Sequence, residues 1–509
     1  MNAADLIDKR VLVAGLGVTG RSVARWLASV GVRFEVMDAK ASPHGLPSDC
    51  VIHADLDAAL APSPAGPVEV IVLSPGIPRS SAAIGGALSR GCRVIGDIEL
   101  FAGAIEANGS PVIAVTGSNG KSTVVAWLSE ALVAVGVRAV ACGNIGEAAL
   151  DALHETVQVY VLELSSYQLE STESLAPLAA CVLNVSDDHL DRYDSFAHYA
   201  ATKRRVYDGA LHRLVNAQDE HTLPTGKLAA NDACIDVADA SRSPLGDAAG
   251  VAPGDAVGVA PGDAPSDPAA GTPTRWHLDH GDVGSLCRDG RPLLAAGALA
   301  LPGRHNAVNA LAVLALASVT LSRLRGSSAL PAELLEAVAG FTGLPHRTER
   351  VALIDGVSWF DDSKGTNVDA CVRAIQAMPG PVVLIAGGQG KGADFTPIAR
   401  QAPALKAAVL IGQDAPLMAA VLGPVTPVHL ADTLEGAVEQ AVRLSRPGDA
   451  VLLSPACASF DMFSDFTARG RAFQRAVRAL DPSAGPMRSA REQAGLAATS
   501  PNSSAGAVR

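Results

Sequence analysis

Residues 111–123 read PVIAVTGSNGKST, and this stretch decides the class of fold. The apolar run Pro111–Val115 predicts a buried strand, and the glycine-containing turn after it leads into an apolar helical pattern. Such a turn directs backbone N–H groups at phosphate oxygens, and the start of the helix adds partial positive charge. Lys121 would neutralise the outer phosphates, and Ser122 would offer an oxygen to Mg²⁺. Although position 115 carries Val where the GxxxxGK[ST] pattern has Gly, we expect a nucleotide phosphate here; the alternative is an ordinary strand-to-helix turn.

The same order of a short apolar run and a helical pattern extends along the chain in both directions. Strands that alternate with helices form parallel sheets with right-handed crossovers, so the sequence predicts the α/β class with mostly parallel sheets. The apolar runs that we interpret as further strands are Arg10–Ala14, Phe34–Asp38, Glu69–Leu73, Val157–Leu162, Ala180–Asn184, Val382–Ala386, Ala408–Ile411 and Ala450–Leu453.

The chain has 509 residues, which at roughly 150 residues per domain suggests about three domains. We expect them at residues 1–100, 101–344 and 345–480. Residues 241–274 contain the sequence GVAPGDA twice and are too rich in Pro, Gly, Ala and Asp to form a core. We expect a disordered surface insertion there, with a calcium-binding repeat as the alternative. Residues 481–509 are expected to form a disordered tail.

Composition disfavours several classes of function, although it allows a local basic pocket. The formal charge of −12 and the aromatic content of 4% disfavour broad nucleic-acid binding and a stacking platform for single strands. The eight cysteines form no CxxC pair, so we expect reduced thiols in a cytosolic protein. The first residues lack the apolar stretch of a secretion signal, and the most apolar segment, Ala310–Leu321, is too short to span a bilayer.

A second glycine-rich turn follows the first predicted strand. Residues 15–20 read GLGVTG, which matches the dinucleotide-binding pattern G-x-G-x-x-G, and Asp38 lies where a ribose-binding acid would be expected. The pattern by itself indicates NAD and an oxidoreductase. It is also compatible with any nucleotide-linked ligand, and a second nucleotide site at Lys121 makes a dehydrogenase less attractive.

Polar clusters begin where the predicted strands end, which is the edge at which parallel sheets bind ligands. Glu163 follows the strand Val157–Leu162 and is well placed to bind Mg²⁺, although an isolated acid is more often a solvated or capping residue. His189 follows the next strand and would bind a metal or a phosphate, although a single His is more often structural. Asn306 and Asn309 share one face of a helix and either cap it or contact a ligand.

Nine segments of the chain resemble segments of the Mur ligases. The resemblance is collinear over about residues 11–480, apart from the insertion, and is closest to the member that adds D-glutamate to UDP-N-acetylmuramoyl-L-alanine. The phosphate turn alone would indicate only the wider superfamily, which includes folylpolyglutamate synthases. The matching segments are VTGSNGKST, GNIG, ELSSYQLE, DDHLDRY, LPGRHNAVNA, GLPHR, DDSKGTN, GGQGKGADF and SPACASFDMF.

The resemblance implies an N-terminal Rossmann-like domain that binds UDP, a central P-loop-type ATPase domain and a C-terminal Rossmann-like domain. It also implies an ATP-dependent ligase that forms an acyl phosphate during cytoplasmic peptidoglycan precursor synthesis. The alternatives are another Mur-type or folylpolyglutamate-type ligase, an oxidoreductase, or a nucleotide-binding scaffold without activity. The implied partners are small molecules, with no nucleic acid, no membrane insertion and a monomeric state.

Residue roles follow from the same resemblance. Residues implied to bind the UDP substrate are Val18, Thr19, Gly20, Asp38, Ser74, Asn144 and His189. Residues implied to bind ATP are Gly117, Ser118, Asn119, Gly120, Lys121, Ser122, Thr123, Asn306, Asn309, Arg347 and Asp362. Two Mg²⁺ ions would be held by Ser122, Glu163, His189 and Lys203, the last as a carbamate.

The resemblance also assigns the remaining chemistry. Lys364 is implied to lie close to the reacting groups and, with Lys121, His189 and Lys203, to be catalytic. The residues implied to bind D-glutamate are Thr366, Lys391, Ser459 and Phe466. Carbamylation would turn the Lys203 amine into the anionic oxygen ligand that Mg²⁺ prefers.

Overall fold

The computed structural model describes residues 1–39, 45–64, 66–188, 192–236, 273–279, 284–301, 303–390 and 392–481. These residues form three sheets, of five, nine and six strands, with helices between the strands. Most strand pairs are parallel, so the predicted α/β class is confirmed. The chain divides into two compact units, Met1–Leu299 with Asn306–Ala339, and Ala300–His305 with Gly340–Arg509.

The five-stranded sheet is parallel throughout and has the strand order β3-β2-β1-β4-β5. Its strands β1 and β4 are buried along their whole length, as expected when helices cover both faces of a parallel sheet. The strands are β1 Val11–Ala14, β2 Phe34–Met37, β3 Ile52–His53, β4 Val70–Leu73 and β5 Arg93–Ile95. The helices are α1 Val18–Ser29, α2 Leu56–Leu60, α3 Ala82–Ser89 and α4 Asp97–Asn108.

The nine-stranded sheet has the order β14-β13-β12-β11-β10-β9-β6-β8-β7, and the two pairs at its β14 end, β12 with β13 and β13 with β14, are antiparallel. Its strands are β6 Val112–Thr116, β7 Ala139–Gly143, β8 Val159–Glu163, β9 Ala179–Val182, β10 His212–Asn216, β11 Ala233–Asp236, β12 Thr274–Asp279, β13 Ser285–Arg288 and β14 Arg291–Ala295. Its helices are α5 Lys121–Ala134, α6 Ser166–Leu169, α7 Phe196–Arg204, α8 Arg304–Arg325 and α9 Ala332–Ala339.

The first two sheets share one hydrophobic core. It runs from Val11 of β1 to Cys234 of β11, and helix α4 connects its two parts. Phe101 of α4 packs edge-on against Tyr160 of β8, with ring centroids 5.4 Å apart. A continuous core explains why both sheets fall within a single compact unit.

The six-stranded sheet belongs to the second unit and has the order β15-β16-β20-β17-β18-β19. Only its first pair, β15 with β16, is antiparallel. Its strands are β15 Glu349–Ile354, β16 Val357–Asp361, β17 Val382–Gly387, β18 Leu405–Ile411, β19 Val428–Leu430 and β20 Ala450–Leu453. Its helices are α10 Val368–Gln376, α11 Thr396–Ala399, α12 Ala415–Leu422, α13 Leu434–Leu444 and α14 Phe466–Leu480.

Two sequence predictions about segments need correction. The insertion was predicted to reach Thr274, but Thr274 begins β12 and pairs with Ala233 of β11. Residues 237–272 lie outside the described residues, as does the predicted tail after Asp481. The apolar segment predicted at 310–321 is part of α8, whose 22 residues are long and apolar enough to cross a membrane. Because 72% of its most apolar window is buried inside the protein, α8 has the character of a core helix.

Candidate functional site

The turn after β6 joins a fully buried strand to α5 through two glycines with positive φ. Gly117 has φ +152° and Gly120 has φ +83°, conformations that other residues adopt only with strain. A Cβ on Gly120 would lie 2.9 Å from Oδ1 of Asn309, so space also favours glycine there. The sequence-predicted turn is therefore present, and Asn309 of α8 packs against it.

Asn184, just after β9, holds this turn in shape. Its carbonyl accepts the Ser118 N–H at 2.9 Å, and its side-chain Oδ1 accepts the Asn119 N–H at 2.8 Å. The Ser118 hydroxyl bonds in turn to the Tyr199 hydroxyl at 3.0 Å. Neither Asn184 nor Tyr199 is among the residues that the sequence predicts to bind a ligand. The position of Asn184 at the carboxyl end of a parallel strand was the available signal.

Two lysines converge on one backbone oxygen of the turn. The Gly117 carbonyl accepts hydrogen bonds from Nζ of Lys121 at 2.8 Å and from Nζ of Lys203 at 2.9 Å. Lys203 comes from α7 and its side chain is only 2% exposed. Burial, reinforced by the neighbouring Lys121 charge, lowers the pKa of Lys203 well below its ordinary value. The site therefore favours a neutral amine at Lys203.

A carboxylate faces the first turn of α5. Oε2 of Glu163, at the end of β8, accepts a hydrogen bond from the Ser122 hydroxyl at 2.5 Å. Oε1 of the same carboxylate accepts the Asn144 side-chain N–H at 2.8 Å. Glu163 is 2% exposed. A hydroxyl and a carboxylate oxygen this close form the kind of oxygen donor set that Mg²⁺ prefers.

Two asparagines of α8 complete this region. Asn306 and Asn309 are buried, and Nδ2 of Asn309 donates to Oδ1 of Asn306 at 3.3 Å. The predicted shared face of the helix is therefore present. Seven of the predicted site residues thus surround the turn after β6, namely Lys121, Ser122, Asn144, Glu163, Lys203, Asn306 and Asn309.

The turn after β1 forms a second cluster of predicted residues. The Gly15 carbonyl accepts the Ser74 hydroxyl at 2.8 Å, and the Leu16 N–H donates to Oδ2 of Asp38 at 2.7 Å. A Cβ on Gly20 would lie 1.8 Å from the Gly15 carbonyl oxygen, so the turn and α1 can pack only with glycine at position 20. Val18, at the start of α1, is 77% exposed.

In the second unit, Asp362 is buried at the end of β16. Its carboxylate accepts the Ser454 hydroxyl at 2.7 Å and the Thr348 N–H at 3.1 Å. Burial raises the pKa of Asp362 to about 7, although Arg347 and these hydrogen bonds act in the opposite direction. The ammonium of Lys364 lies 4.1 Å from the centre of the Phe466 ring. Asp362 and Lys364 thus lie in the loop after β16, and Lys364 contacts Phe466 at the start of α14.

A buried polar network lies beside the loop after β16 and is hydrogen-bonded to it. Nδ1 of His346 lies 2.6 Å from Oδ2 of Asp361, and the Gln474 amide donates to both Asp361 and Glu349 at 2.9 Å. Arg469 of α14 donates to the Ser363 carbonyl at 2.8 Å. These carboxylates already receive an amide donor between them, which favours a hydrogen-bond network over a metal site here. Sequence reasoning missed this support, since its members are far apart in the chain.

Some predicted residues are not among the contacts given above. His189 and Lys391 lie outside the described residues. Thr366 and Ser459 lie in the second unit, Thr366 with its N–H bonded to the Lys364 carbonyl at 2.8 Å and Ser459 buried. Thr123 is buried in the first turn of α5.

Three family models match consecutive parts of the chain. They are described as Mur ligase MurD-like N-terminal domain over residues 9–96, Mur ligase middle domain over residues 115–244, and Mur ligase glutamate ligase domain over residues 346–457. The models follow the same order as the three sheets.

Curated relatives cover nearly the whole chain. A protein of Marinobacter nauticus named UDP-N-acetylmuramoylalanine–D-glutamate ligase is 42% identical over 484 residues, covering 93% of this chain and 99% of its own. A protein of Nitrosococcus oceani with the same name is 43% identical, covering 92% of this chain and 96% of its own.

Solved structures share the fold at low sequence identity. The UDP-N-acetylmuramate-alanine ligase MurC of Thermotoga maritima has a TM-score of 0.56 at 17% identity, covering 93% of this chain and all of its own. A pseudomurein peptide ligase type C of Methanothermus fervidus has a TM-score of 0.52 at 16% identity, with the same coverage. The three family matches and these relatives agree, and the chain belongs to the Mur ligase family, among its MurD-like members.

Proposed function

We propose that the protein uses ATP to join D-glutamate to UDP-N-acetylmuramoyl-L-alanine, releasing ADP and phosphate, in peptidoglycan precursor synthesis. The observation that carries this proposal is the convergence of Lys121, Lys203 and the Ser122–Glu163 pair on the turn after β6. It is supported by relatives named for this activity at 42% and 43% identity over nearly the whole chain. The same relatives favour a ligase over the oxidoreductase that the GLGVTG pattern also allowed.

We assign the ATP phosphates to residues 117–123 and the start of α5. The N–H groups of Ser118 and Asn119 bond to Asn184, so this assignment relies on the amides of the first helical turn. Lys121 would exchange its bonds with the Gly117 and Ser118 carbonyls for phosphate oxygens. The helix dipole and the ammonium would both stabilise the negative charge that spreads over the transferred phosphoryl group. Further ATP contacts are assigned to Asn306, Asn309, Arg347 and Asp362.

We assign one Mg²⁺ to Ser122 and Glu163, whose oxygens are 2.5 Å apart, and a second to His189 and carbamylated Lys203. Mg²⁺ when bound would neutralise phosphate charge and orient the phosphoryl oxygens for transfer. An ammonium at position 203 would repel a cation and a neutral amine would offer it no oxygen, so the second site requires that this lysine be modified.

The Lys203 carbamate is chemically reasonable because a neutral amine is the reactive form. Its nitrogen would attack the carbon of CO₂, form an N–C bond and lose a proton, which leaves an anionic group with two oxygens. Burial and the nearby Lys121 charge keep the pKa of Lys203 low, which favours that neutral amine. The anionic product would also be attracted to the nearby Lys121 ammonium.

We assign the UDP part of the acid substrate to the turn after β1, with Val18, Thr19, Gly20, Asp38 and Ser74. The muramoyl end is assigned to Asn144 and His189. Asn144 donates to the Glu163 carboxylate, so its amide oxygen is oriented away from that carboxylate.

We assign D-glutamate to Thr366, Lys391, Ser459 and Phe466, with Lys364 close to the reacting groups. In the reaction, a carboxylate oxygen of the L-alanine end attacks the γ-phosphorus of ATP and ADP leaves. The amine of D-glutamate then attacks the acyl carbon, loses a proton, and phosphate departs from the tetrahedral intermediate. Cations of the chain would stabilise the negative charge at both steps.

We further propose the domain boundaries 1–100, 101–344 and 345–480, a monomeric state and a cytoplasmic location. The family matches at 9–96, 115–244 and 346–457 support the boundaries. The nucleotide-linked compound in the names of the relatives supports the location, because nucleotide-linked precursors are cytoplasmic compounds.

A panel of amino acids tests the proposal. We expect ADP release only when ATP, Mg²⁺, UDP-N-acetylmuramoyl-L-alanine and D-glutamate are all present, and little with L-glutamate, L-alanine or L-lysine. The Lys121→Ala variant serves as the background control. Equal release in the absence of D-glutamate, or a preference for another amino acid, would refute the proposed substrate.

A further inference from the structure

A half-buried arginine–carboxylate pair lies in the segments of the nine-stranded sheet and contacts a turn of the five-stranded sheet. Nε and Nη2 of Arg192 bond to the two carboxylate oxygens of Glu170 at 3.2 and 2.8 Å. The two side chains are 9% and 15% exposed. Two parallel, charge-assisted hydrogen bonds with this little solvent make a strong and directional contact.

The same guanidinium holds a turn of the five-stranded sheet. Nη1 of Arg192 donates to the Pro75 carbonyl at 2.6 Å, and Nη2 lies 3.4 Å from the Ile77 carbonyl. These carbonyls belong to the tight turn after β4, in which the Ile77 N–H bonds to the Ser74 carbonyl at 3.0 Å. The Tyr167 ring, 3.9 Å from the guanidinium carbon, limits the positions that Arg192 can adopt.

Two further arginines fix Glu170 from its backbone. The Glu170 carbonyl accepts Nη1 of Arg79 and Nη1 of Arg205, both at 3.1 Å. Nη1 of Arg79 also lies 3.2 Å from the carbonyl of Val94, so Arg79 links β5 to the end of α6. We call Glu170, Arg192, Arg79 and Arg205 the clasp.

The clasp lies between two parts of the proposed site. On one side is Ser74, whose hydroxyl holds the Gly15 carbonyl of the UDP turn. On the other side is β8, which ends at Glu163, four residues before Tyr167 and seven before Glu170. Few residues of chain therefore separate the clasp from the carboxylate that faces Ser122.

We propose that Arg192 and Glu170 are positioning residues that fix the Ser74–Ile77 turn relative to Glu163, and so set the distance between the sugar-nucleotide and the acyl carboxylate to be phosphorylated. This inference rests on the proposed function for the identity of the substrate. Neither residue touches the reacting atoms in this account. Their effect is on affinity for the UDP substrate.

The test compares Arg192→Met with Arg25→Met. Arg25 also forms a two-point ion pair between the segments of the two sheets, with Asp151 at 3.2 and 2.5 Å, but it is 55% exposed and bonds to no substrate turn. Arg192→Lys is a second variant that keeps the charge but loses the planar fork, in case the methionine variant does not fold.

Two readouts are combined. Hydrogen exchange of peptides covering residues 74–79 should rise about tenfold or more in Arg192→Met and stay unchanged in Arg25→Met, because the variant loses charge-assisted bonds. KM for UDP-N-acetylmuramoyl-L-alanine should also rise about tenfold or more, while KM for ATP changes less than about twofold.

Three results would decide against the clasp. They are unchanged exchange at 74–79, a parallel rise of both KM values, and equal effects of Arg192→Met and Arg25→Met. An inactive wild-type protein would overturn the proposed function alone, since the exchange comparison needs no substrate.

Discussion

The turn after β1 and the turn after β6 both join a buried parallel strand to a helix through glycines with positive φ, Gly15 in the first and Gly117 in the second. In the first turn the glycine carbonyl accepts a neutral hydroxyl, and the next N–H faces the Asp38 carboxylate. In the second, the glycine carbonyl accepts hydrogen bonds from the side chains of Lys121 and Lys203. The backbones of the two turns also differ, since Gly17 before α1 is extended and Gly120 before α5 is left-handed. What each turn offers to a ligand therefore depends on this backbone and on the side chains brought from other strands and helices.

Removing the cation that begins α5 should have the largest effect. We expect Lys121→Ala to lower kcat about a thousandfold with thermal unfolding unchanged, because the lysine would stabilise charge that develops during phosphoryl transfer. Steady-state kinetics and a melting curve check this. If kcat of Lys121→Ala stayed within about tenfold of wild type, Lys121 would not be what distinguishes the turn after β6 from the turn after β1.

Lys203→Ala should also inactivate the enzyme, but reversibly. We expect kcat to fall about a hundredfold and to recover in part when a short carboxylic acid such as acetate or propionate replaces the missing oxygen ligand. Lys121→Ala, assayed with the same acids, is the control and should not recover. Full activity of Lys203→Ala without additive would contradict the carbamate.

The glycines of the two turns should differ in their tolerance of a methyl group. Gly20→Ala places Cβ 1.8 Å from a backbone oxygen, which cannot move without distorting the turn, and we expect a loss of about 3 kcal/mol. Gly120→Ala meets only the end of the Asn309 side chain at 2.9 Å, in addition to its positive φ, so we expect about 1–2 kcal/mol. Denaturant unfolding measures both. The reverse order would show that the first turn is the more adaptable.

The smallest predicted effect concerns stability at the second turn. The lowered pKa of Lys203 means that the folded state binds fewer protons than the unfolded state between that pKa and about 10.5, so the free energy of unfolding should rise with pH in this window. In buffer free of bicarbonate, Lys203→Met should be about 1–2 kcal/mol more stable at pH 7 and should lack the slope. If Lys203→Met were less stable than the wild type, burial of the Lys203 amine would not destabilise the folded state.

The positions of several strands and turns along the chain could be predicted because each signal is local. The runs at Val11, Val112 and Val382 are short, apolar and followed by glycine turns, and each of them begins a buried strand. The antiparallel strands β12 to β14 and the antiparallel pair β15–β16 were missed, because they lack the strand–helix–strand rhythm that predicts a parallel sheet.

The position of Lys203 against the Gly117 carbonyl illustrates what the residues alone could not predict. Both residues were singled out, but they are 86 positions apart in the chain, and the hydrogen bond depends on how α7 packs against the end of β6. The Arg192–Glu170 pair is similar, because its function depends on carbonyls of a turn 115 and 117 residues away. Local patterns carry no information about such distances.

The central claim is that the turn after β1 binds the UDP substrate and the turn after β6 binds ATP. Calorimetric titration of both ligands into three proteins tests it most directly. ATP with Mg²⁺ and UDP-N-acetylmuramoyl-L-alanine would each be titrated into wild type, Lys121→Ala and Asp38→Asn. The account predicts that Lys121→Ala weakens ATP binding about tenfold or more and leaves the UDP substrate unaffected, while Asp38→Asn does the opposite. If Asp38→Asn weakened ATP binding, or if Lys121→Ala left it unchanged, the assignment of the two turns would be contradicted.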